Sequence, residues 1–223
     1  MRNASAQQND DALRISRQRL VQHLRTNIGI KDEKVLAAMG AIPRHIFIPE
    51  ALRGQAYKDN ALPIAAKQTI SQPAIVARMT ELLELEPDHR VLEIGAGSGY
   101  QTAVIASIAR RVFAVERINE LYSTALPRLR SLGFNNVSMI CSDGTEGWKT
   151  YAPYDRILVA AGGPEIPQPL VDQLVIGGKL ILPVGEERET QRLVRVTRTG
   201  QGFSKEDFGP CAFVPLIGKH GWS

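Results

Sequence analysis

Three glycines, Gly95, Gly97 and Gly99, follow the apolar run 91–94 and form the stretch of this chain best suited to ligand chemistry. Glycines at this spacing let the backbone approach a ligand closely, because no side chain stands in the way. A helix is predicted to follow over about 100–109, and the free N–H groups of its first turn can receive polar or anionic ligand groups. The stretch therefore predicts a buried strand, a ligand-binding turn and a helix in direct succession.

One carboxylate, Glu93, falls inside the otherwise apolar strand just before the turn. A buried carboxylate is costly unless a partner compensates it, and a cationic ligand group would be such a partner. S-adenosylmethionine carries an ammonium and a sulfonium, whereas the pyrophosphate of NAD would be repelled. The third glycine also comes one residue too early for the dinucleotide fingerprint G-x-G-x-x-G. Both points favour a methyl donor and make an NAD-dependent dehydrogenase the weakest enzyme hypothesis.

Two further carboxylates follow the next two predicted strands. Glu116 closes the strand 111–116, where it could accept two hydrogen bonds from a ribose diol. Capping of a neighbouring helix or pairing with Arg117 is the alternative. Asp143-Gly144 follows the strand 137–141 on the same edge of the sheet, where ligands collect. The aspartate there could accept from an adenine amino group or form an ordinary Asx turn, and position alone does not separate these roles.

Strands are predicted to alternate with helices through the middle of the chain. This alternation indicates an α/β fold with a mostly parallel, doubly wound sheet and right-handed crossovers. After Glu186 the pattern changes to strands without helices, which predicts an antiparallel C-terminal edge made by 191–199 and 213–216. An N-terminal helical extension is expected at 11–28 and 32–40. Further strands are predicted at 155–161 and 179–184, and further helices at 73–86, 118–131 and 167–175.

The stretch 41–70 contains three prolines and lacks the periodicity of a helix or strand, and it is longer than most connections in a compact domain. We interpret it as functional. A helix is expected to start at Ser71-Gln72-Pro73, where a hydroxyl or amide can cap the first turn and proline can occupy it. At 223 residues the chain is expected to form one domain, with an N-terminal helical segment (1–70), an α/β core (71–186) and a C-terminal β edge (187–223).

Composition narrows the possible classes of protein. Hydrophobic residues make up 43% and charged residues 22%, which is typical of a soluble globular protein with a real core. The net charge is +4 without a long run of Lys or Arg, so no nucleic-acid partner is expected. No membrane span or signal peptide is evident, and a cytoplasmic monomer is expected. Cys141 and Cys211 lack metal-ligand spacing and form no disulfide framework, so no metal site is predicted.

Several longer motifs make the chain similar to a known family. The glycine-rich stretch 91–100 is shared by many class I methyltransferases, whereas Gln68-Thr69-Ile70-Ser71-Gln72-Pro73 is far more specific. With other matching segments between about Ile42 and Gly218, this motif resembles the protein-L-isoaspartate O-methyltransferases. The other segments are Tyr57-x-Asp59, Leu62-Pro63-Ile64, Val76-Ala77-x-Met79, Ala114-Val115-Glu116-Arg117, Asp143-Gly144-x-x-Gly147-Trp148, Ala152-Pro153-Tyr154-Asp155-x-Ile157-Leu158-Val159, Pro164-Glu165-Ile166-Pro167 and Phe213-Val214-Pro215-Leu216.

The resemblance implies a Rossmann-like class I methyltransferase fold and a protein repair reaction. In that reaction a methyl group passes from S-adenosylmethionine to the α-carboxylate of an L-isoaspartyl residue in a damaged protein or peptide. The ester then closes to a succinimide, whose hydrolysis returns some normal aspartate. The resemblance assigns Ser71 to the active site, Gln68, Thr69 and Ile70 to a lid over the cofactor, Glu116 to the ribose and Asp143 to the adenine end.

Two other readings stay open beside the repair enzyme. A class I methyltransferase acting on a small molecule or RNA would share the core, but the serine-bearing segment before the core argues against it. A cofactor-binding module without catalysis is suggested only by Ala65 and Lys67, which replace two glycines common in the family's lid. Ser71 could also simply cap the following helix. The two roles of Ser71 are compatible, because a helix N-terminus also suits a carboxylate.

Overall fold

The computed structural model describes the chain at residues 2–187 and 190–223, with side chains described from residue 11. The α-helices in this part are α1 (Arg2–His23), α2 (Glu33–Ala41), α3 (Pro73–Leu83), α4 (Tyr100–Ala106), α5 (Asn119–Ser131) and α6 (Gln168–Asp172). Its strands are β1 (Leu62–Pro63), β2 (Thr69–Ile70), β3 (Arg90–Ile94), β4 (Arg111–Glu116), β5 (Val137–Cys141), β6 (Tyr154–Val159), β7 (Leu174–Glu187), β8 (Thr190–Thr199) and β9 (Gly202–Cys211).

Within the described residues, seven strands form one sheet in the order β5-β4-β3-β6-β7-β8-β9. The pairs from β5 to β7 are parallel, and the pairs β7–β8 and β8–β9 are antiparallel. The chain runs from β3 outward to β5 and then returns to place β6 on the other side of β3. Such a reversal is a topological switch point, where open α/β sheets bind ligands. The predicted fold class, a mostly parallel α/β sheet with an antiparallel C-terminal edge, is confirmed.

The central strands are apolar because each face of the sheet packs against its own hydrophobic core. In β3, Val91 belongs to one core, and Leu92 and Ile94 belong to the other. The first core also takes in buried residues of α2, α3, α4 and α5, whereas the second takes in Leu170 and Val171 of α6. A strand covered on both faces reads as a continuous apolar run, which is why these strands were visible in the sequence.

The C-terminal edge differs from the prediction in its last strand. The predicted strand at 213–216 is wrong, because the last edge strand is β9. Most side chains of β9 are exposed, so its sequence has no apolar alternation that indicates a strand. Residues 213–216 instead pair with the loop after β6. The Gly162 N–H donates to the Val214 carbonyl, and the Leu216 N–H donates to the Gly162 carbonyl, both at 2.8 Å.

Helix α3 begins at Pro73 as predicted, but its cap comes from a distant residue. The side chain of Gln72, the N-cap residue, makes no capping hydrogen bond. The Ala74 N–H instead donates to Oδ1 of Asp59 at 2.8 Å. The predicted capping by Ser71 or Gln72 is therefore wrong. An acceptor 15 residues away leaves no trace in the local pattern at the start of a helix.

The two predicted N-terminal helices are present. Helix α1 continues through a π-helical turn at Leu24–Ile28 and stops at Gly29, whose φ of +81° is left-handed. Helix α2 follows Asp32, whose carboxylate accepts from two N–H groups of the first turn. Helices α4 and α6 end earlier than predicted, at Ala106 and Asp172. None of the helices in the described residues has the length and apolar character needed to cross a membrane.

Candidate functional site

The glycine-rich turn lies at the carboxyl end of β3, beside the topological switch point. Gly95, Gly97 and Gly99 have φ of +85°, +55° and +88°, a left-handed backbone that residues with side chains rarely adopt. The Gly95 N–H donates to the Val115 carbonyl at 2.8 Å, which holds the turn against the end of β4. The backbone conformation of the turn therefore favours glycine, in addition to the close approach that a ligand needs.

Glu116, the predicted ribose ligand, closes β4 and is 5% exposed. Its Oε2 accepts from the Gly97 N–H and its Oε1 accepts from the Ile118 N–H, both at 2.8 Å. These bonds fix the glycine turn and the start of α5 together. A carboxylate has about four lone-pair sites, so acceptor capacity remains for a diol. In the described part of the chain, Glu116 makes no ion pair with Arg117. Its bond from the Ile118 N–H, at the start of α5, corresponds to the predicted helix-capping alternative.

A cleft opens over the turn and offers about 720 Å³ of space, its mouth included. Its walls come from Gln68 and Thr69, the glycine turn, the end of β4, the loop after β5 and the segment 214–217. The predicted site residues that line the cleft are Gln68, Thr69, Gly95, Gly97, Glu116 and Gly144. The predicted site residues outside this lining are Ile70, Ser71, Glu93, Gly99 and Asp143.

Asp143, predicted at the adenine end, is held mainly by the protein itself. Its Oδ1 accepts from the N–H and the hydroxyl of Thr145 at 2.8 and 2.7 Å, which is the Asx-turn alternative. Its Oδ2 accepts from the Lys219 N–H at 2.8 Å. Burial alone would raise the pKa of Asp143, but these hydrogen bonds outweigh burial and lower it. Asp143 therefore stays ionised and links the loop after β5 to the C-terminal segment, while Gly144 lies in the cleft.

Glu93 is completely buried, with 0% of its surface exposed. Neither of its carboxylate oxygens has a hydrogen-bond partner among the described residues. Burial raises the pKa of Glu93 to about 8; the neighbouring Thr102 hydroxyl opposes the shift and the charge of Glu116 adds to it. Its neighbour Ile94 lines the cleft. Glu93 thus lies one residue behind the wall of the cleft as an uncompensated acid.

Replacing Glu93 with glutamine is expected to stabilise the folded protein at alkaline pH. Because the pKa rises from 4.5 to about 8 on folding, this group's contribution to stability is complete below about pH 4.5 and is lost as the pH rises through 8. Glu93→Gln abolishes that loss. Its gain in unfolding free energy over the wild type should be about 2–4 kcal/mol larger at pH 9 than at pH 5. Urea unfolding at both pH values measures the gain, and an equal gain at the two would contradict the prediction.

The lid, residues 62–70, is a small hairpin in which β1 and β2 pair antiparallel around a 3₁₀ turn. Within the turn Ala66 and Lys67 have φ of +55° and +57°. Left-handed backbone costs roughly 1–2 kcal/mol for each residue that carries a side chain. Lys67 therefore has a backbone conformation that suits glycine, the residue that the family resemblance implies at this position, whereas Ala65 does not have a left-handed φ.

Ser71 lies just beyond the lid and lines a second, smaller cavity, whose roughly 420 Å³ of space includes open solvent at its mouth. Ile70 and Tyr100 also line this cavity, which we call the Ser71 cavity. The Ser71 hydroxyl makes no hydrogen bond to any residue that the structure describes, so it is free to donate to a ligand. The Ser71 cavity is next to the cleft because the two share part of their lining. The shared residues are Thr69, Gly95, Gly97 and Ala160.

Three contributors to the site received no role in the sequence analysis. Arg44 donates from Nη2 to the Ser71 carbonyl at 2.8 Å, although it lies in an irregular stretch without periodicity. Asp59 caps α3, and its only signal was its place in the motif Tyr57-x-Asp59. The segment 214–217 lines the cleft, although its pattern predicted an edge strand. All three act over long distances in sequence, which local patterns do not record.

The sheet is mostly parallel, a glycine turn follows β3, a carboxylate closes β4 and a cleft lies at the switch point. These features define a Rossmann-like fold, which the chain shares with a solved protein-L-isoaspartate O-methyltransferase at a TM-score of 0.85 and 28% identity, covering 92% of this chain and 67% of that one. A family model described as protein-L-isoaspartate(D-aspartate) O-methyltransferase matches residues 15–221. The chain therefore belongs to the protein-L-isoaspartate(D-aspartate) O-methyltransferase family, whose members are protein repair enzymes that use S-adenosylmethionine.

Individual relatives agree with this assignment. The chain is 51% identical over 212 residues to protein-L-isoaspartate O-methyltransferase 2 of Geotalea uraniireducens, covering 95% of this chain and 97% of that protein. It is 54% identical over 198 residues to the protein-L-isoaspartate O-methyltransferase of Syntrophus aciditrophicus, covering 87% of this chain and 90% of that protein. It also resembles a solved Plasmodium falciparum structure, a putative enzyme of this name in complex with S-adenosyl-L-homocysteine. That likeness has a TM-score of 0.79 at 29% identity and covers 90% of this chain and 98% of that one.

Proposed function

We propose that the cleft holds S-adenosylmethionine and that the Ser71 cavity receives the α-carboxylate of an L-isoaspartyl residue, which accepts the methyl group. The observation that carries this assignment is the lining shared by the two spaces. A carboxylate bound near Ser71 would lie next to a ligand bound over the glycine turn. The methyl ester then closes to a succinimide, and hydrolysis of the succinimide returns some normal aspartate.

The residues around the cleft fit such a donor. When bound, S-adenosylmethionine supplies a methyl group on a sulfonium sulfur. Glu116 has spare acceptor capacity for the ribose diol beside Gly97. Gly144 lines the cleft where we place the adenine. Oδ2 of Asp143 accepts one hydrogen bond, from the Lys219 N–H, and can accept a second from the adenine amino group. Glu93, buried without a partner, suits the cationic end, because a nearby positive charge would lower its pKa and offset the cost of its burial.

The residues near the acceptor need only align and shield it. A carboxylate is already ionised at neutral pH, so attack on the methyl group requires no strong general base. We assign to the Ser71 hydroxyl a hydrogen bond that holds the substrate carboxylate in line. Gln68 and Thr69 of the lid line the cleft, and Ile70 lines the Ser71 cavity, so the lid is placed to exclude water from both. Alignment and exclusion of water can supply much of the rate enhancement of such a reaction.

The setting of this activity is also part of the proposal. We assign it to a cytoplasmic monomer that acts on proteins and peptides and not on nucleic acid. Both cysteines are free, which agrees with a reducing compartment. The first of the two hydrophobic cores contains residues from Leu20 to Leu193. Because this core joins all three segments, it supports a single domain formed by 1–70, 71–186 and 187–223.

Methyl transfer to a matched pair of peptides tests the function. One peptide carries L-isoaspartate and the other carries normal aspartate at the same position, and both are incubated with the protein and labelled S-adenosylmethionine. We expect strong labelling of the isoaspartyl peptide alone. Calorimetric binding of S-adenosylhomocysteine serves as the control for an intact cleft. If the cleft binds this ligand while neither peptide is labelled, the proposed substrate is wrong and a small-molecule methyltransferase or an inactive module takes its place.

A further inference from the structure

Arg44 connects the irregular stretch before the core to the Ser71 cavity. The side chain is 0% exposed. Its Nε donates to the Ala56 carbonyl at 2.9 Å, and its Nη2 donates to the Ser71 carbonyl at 2.8 Å. The centre of its guanidinium lies 4.9 Å from the ring centroid of Tyr100, a residue that lines the Ser71 cavity. One buried cation therefore contacts both Ser71 and Tyr100.

The charge of Arg44 has no counter-charge close to it. No carboxylate oxygen of the described residues lies within 4.0 Å of its nitrogens, and Nη1 has no hydrogen-bond partner there. Burial lowers the pKa of Arg44 to about 10, and weaker attractions to Tyr100 and Asp59 oppose that shift, so the group is charged at neutral pH. A buried charge without an opposite charge is costly. Asp59 attracts Arg44 from beyond ion-pair distance, so the guanidinium beside Ser71 has an unpartnered Nη1 and no close counter-charge among the described residues.

We propose that Arg44 is a positioning residue for the methyl-accepting carboxylate: it holds the Ser71 backbone and its charge favours an ionised carboxylate in the Ser71 cavity. This inference rests on the proposed function, in which the acceptor is a carboxylate. Attraction between opposite charges is strong where water is excluded. A neutral carboxamide of the same shape would not benefit from it. Arg44 therefore also makes the site select an α-carboxylate over an α-carboxamide.

A purely structural role is the competing explanation, because Arg44 also ties three segments together. Arg44→Met removes the charge and both hydrogen bonds but keeps much of the packing. Arg44→Lys keeps the charge but loses the planar guanidinium that donates to the Ala56 and Ser71 carbonyls together. Arg156→Met is the matched control, because Arg156 is a half-buried arginine that donates to the carbonyls of Leu83 and Glu84 at the far end of α3. It removes an equivalent link at the end of the helix away from Ser71.

The decisive measurement is the preference for a carboxylate in binding. With S-adenosylhomocysteine saturating the cleft, the Kd is measured for an isoaspartyl peptide and for the same peptide with an α-carboxamide. We expect the wild type to prefer the carboxylate by at least about tenfold and Arg44→Met by less than about threefold. Arg44→Lys should keep a preference within about threefold of the wild type while its kcat falls, because the Ser71 backbone is no longer held. Arg156→Met should lose thermal stability and keep the full preference.

A wild-type preference in Arg44→Met, or a lost preference in Arg44→Lys, would overturn the proposal. The lysine variant decides the matter alone if the methionine variant does not fold. Failure of the proposed function has a different signature, because the wild type would then methylate neither an isoaspartyl nor an aspartyl peptide. If the wild type methylates the isoaspartyl peptide but binds the carboxylate and the carboxamide equally, only the role of Arg44 is lost.

Discussion

Ser71→Ala is expected to lower kcat/KM for an isoaspartyl peptide by about 100-fold or more, while the Kd for S-adenosylhomocysteine changes by less than about twofold. The hydroxyl is the group that we assign to holding the acceptor in line, and loss of one positioned donor typically has an effect of this size. The cleft should be unaffected because Ser71 lies outside its lining. Initial rates with the isoaspartyl peptide and calorimetric titration of the cofactor product measure the two quantities.

The same substitution should leave thermal stability almost unchanged. Asp59, and not Ser71, caps α3, so no helix cap is lost. Ser107→Ala is a suitable control, because among the described residues that hydroxyl bonds only to the Ala103 carbonyl within α4. The control should keep wild-type turnover. Equal activity of wild type and Ser71→Ala would remove Ser71 from the reaction.

Glu116→Ala is expected to raise the Kd for S-adenosylhomocysteine by about 100-fold or more. The substitution removes the acceptors proposed for the ribose diol. It also releases the N–H groups of Gly97 and Ile118, so the glycine turn loses one tie to the end of β4 and keeps the bond from the Gly95 N–H to the Val115 carbonyl. Calorimetric titration at constant pH and salt measures the change. Because two partly buried N–H groups lose their acceptor, the free energy of unfolding should also fall by about 1–2 kcal/mol.

Two further variants separate the ligand contact from general electrostatics. Glu116→Gln keeps one acceptor oxygen and should give an intermediate Kd. Glu120→Ala removes an acid from the first turn of α5, close in sequence but not part of the cleft lining, and should change the Kd by less than about twofold. A wild-type Kd in Glu116→Ala would show that the carboxylate serves only to fix the turn and the start of α5.

The unit from β3 to β5 was predictable because its signals are local. The apolar runs in the sequence predicted β4 and β5 with the bounds that the structure has. Gly95, Gly97 and Glu116, which were predicted as site residues, all line the cleft. The motif that contains Ser71 predicted an active-site serine by its resemblance to a family. The periodicity of the residues surrounding Ser71 gave no such indication. Its neighbours Gln68 and Thr69 were likewise placed by resemblance to a family and not by pattern.

The remainder of the site depends on contacts between residues far apart in sequence. A carboxylate is visible in a sequence, but its partner is not, so Glu93 and Asp143 were predicted as ligand groups without their surroundings. The structure places Glu93 behind the cleft wall and gives Asp143 hydrogen bonds to Thr145 and Lys219. Arg44 was missed for the same reason, because its role comes from contacts with Ser71 and Tyr100 that only the folded chain creates.

The segment 214–222 has a consequence for protein synthesis. It leaves the ribosome after every described strand, yet it lines one side of the cleft, holds Gly162 through the Trp222 indole (2.9 Å) and holds Asp143 through Lys219. A nascent chain can therefore pair the strands of its sheet before it can retain a nucleoside. Ligand binding adds to the stability only of states that contain the complete site. We therefore expect the cofactor to stabilise the folded protein only once this segment is in place.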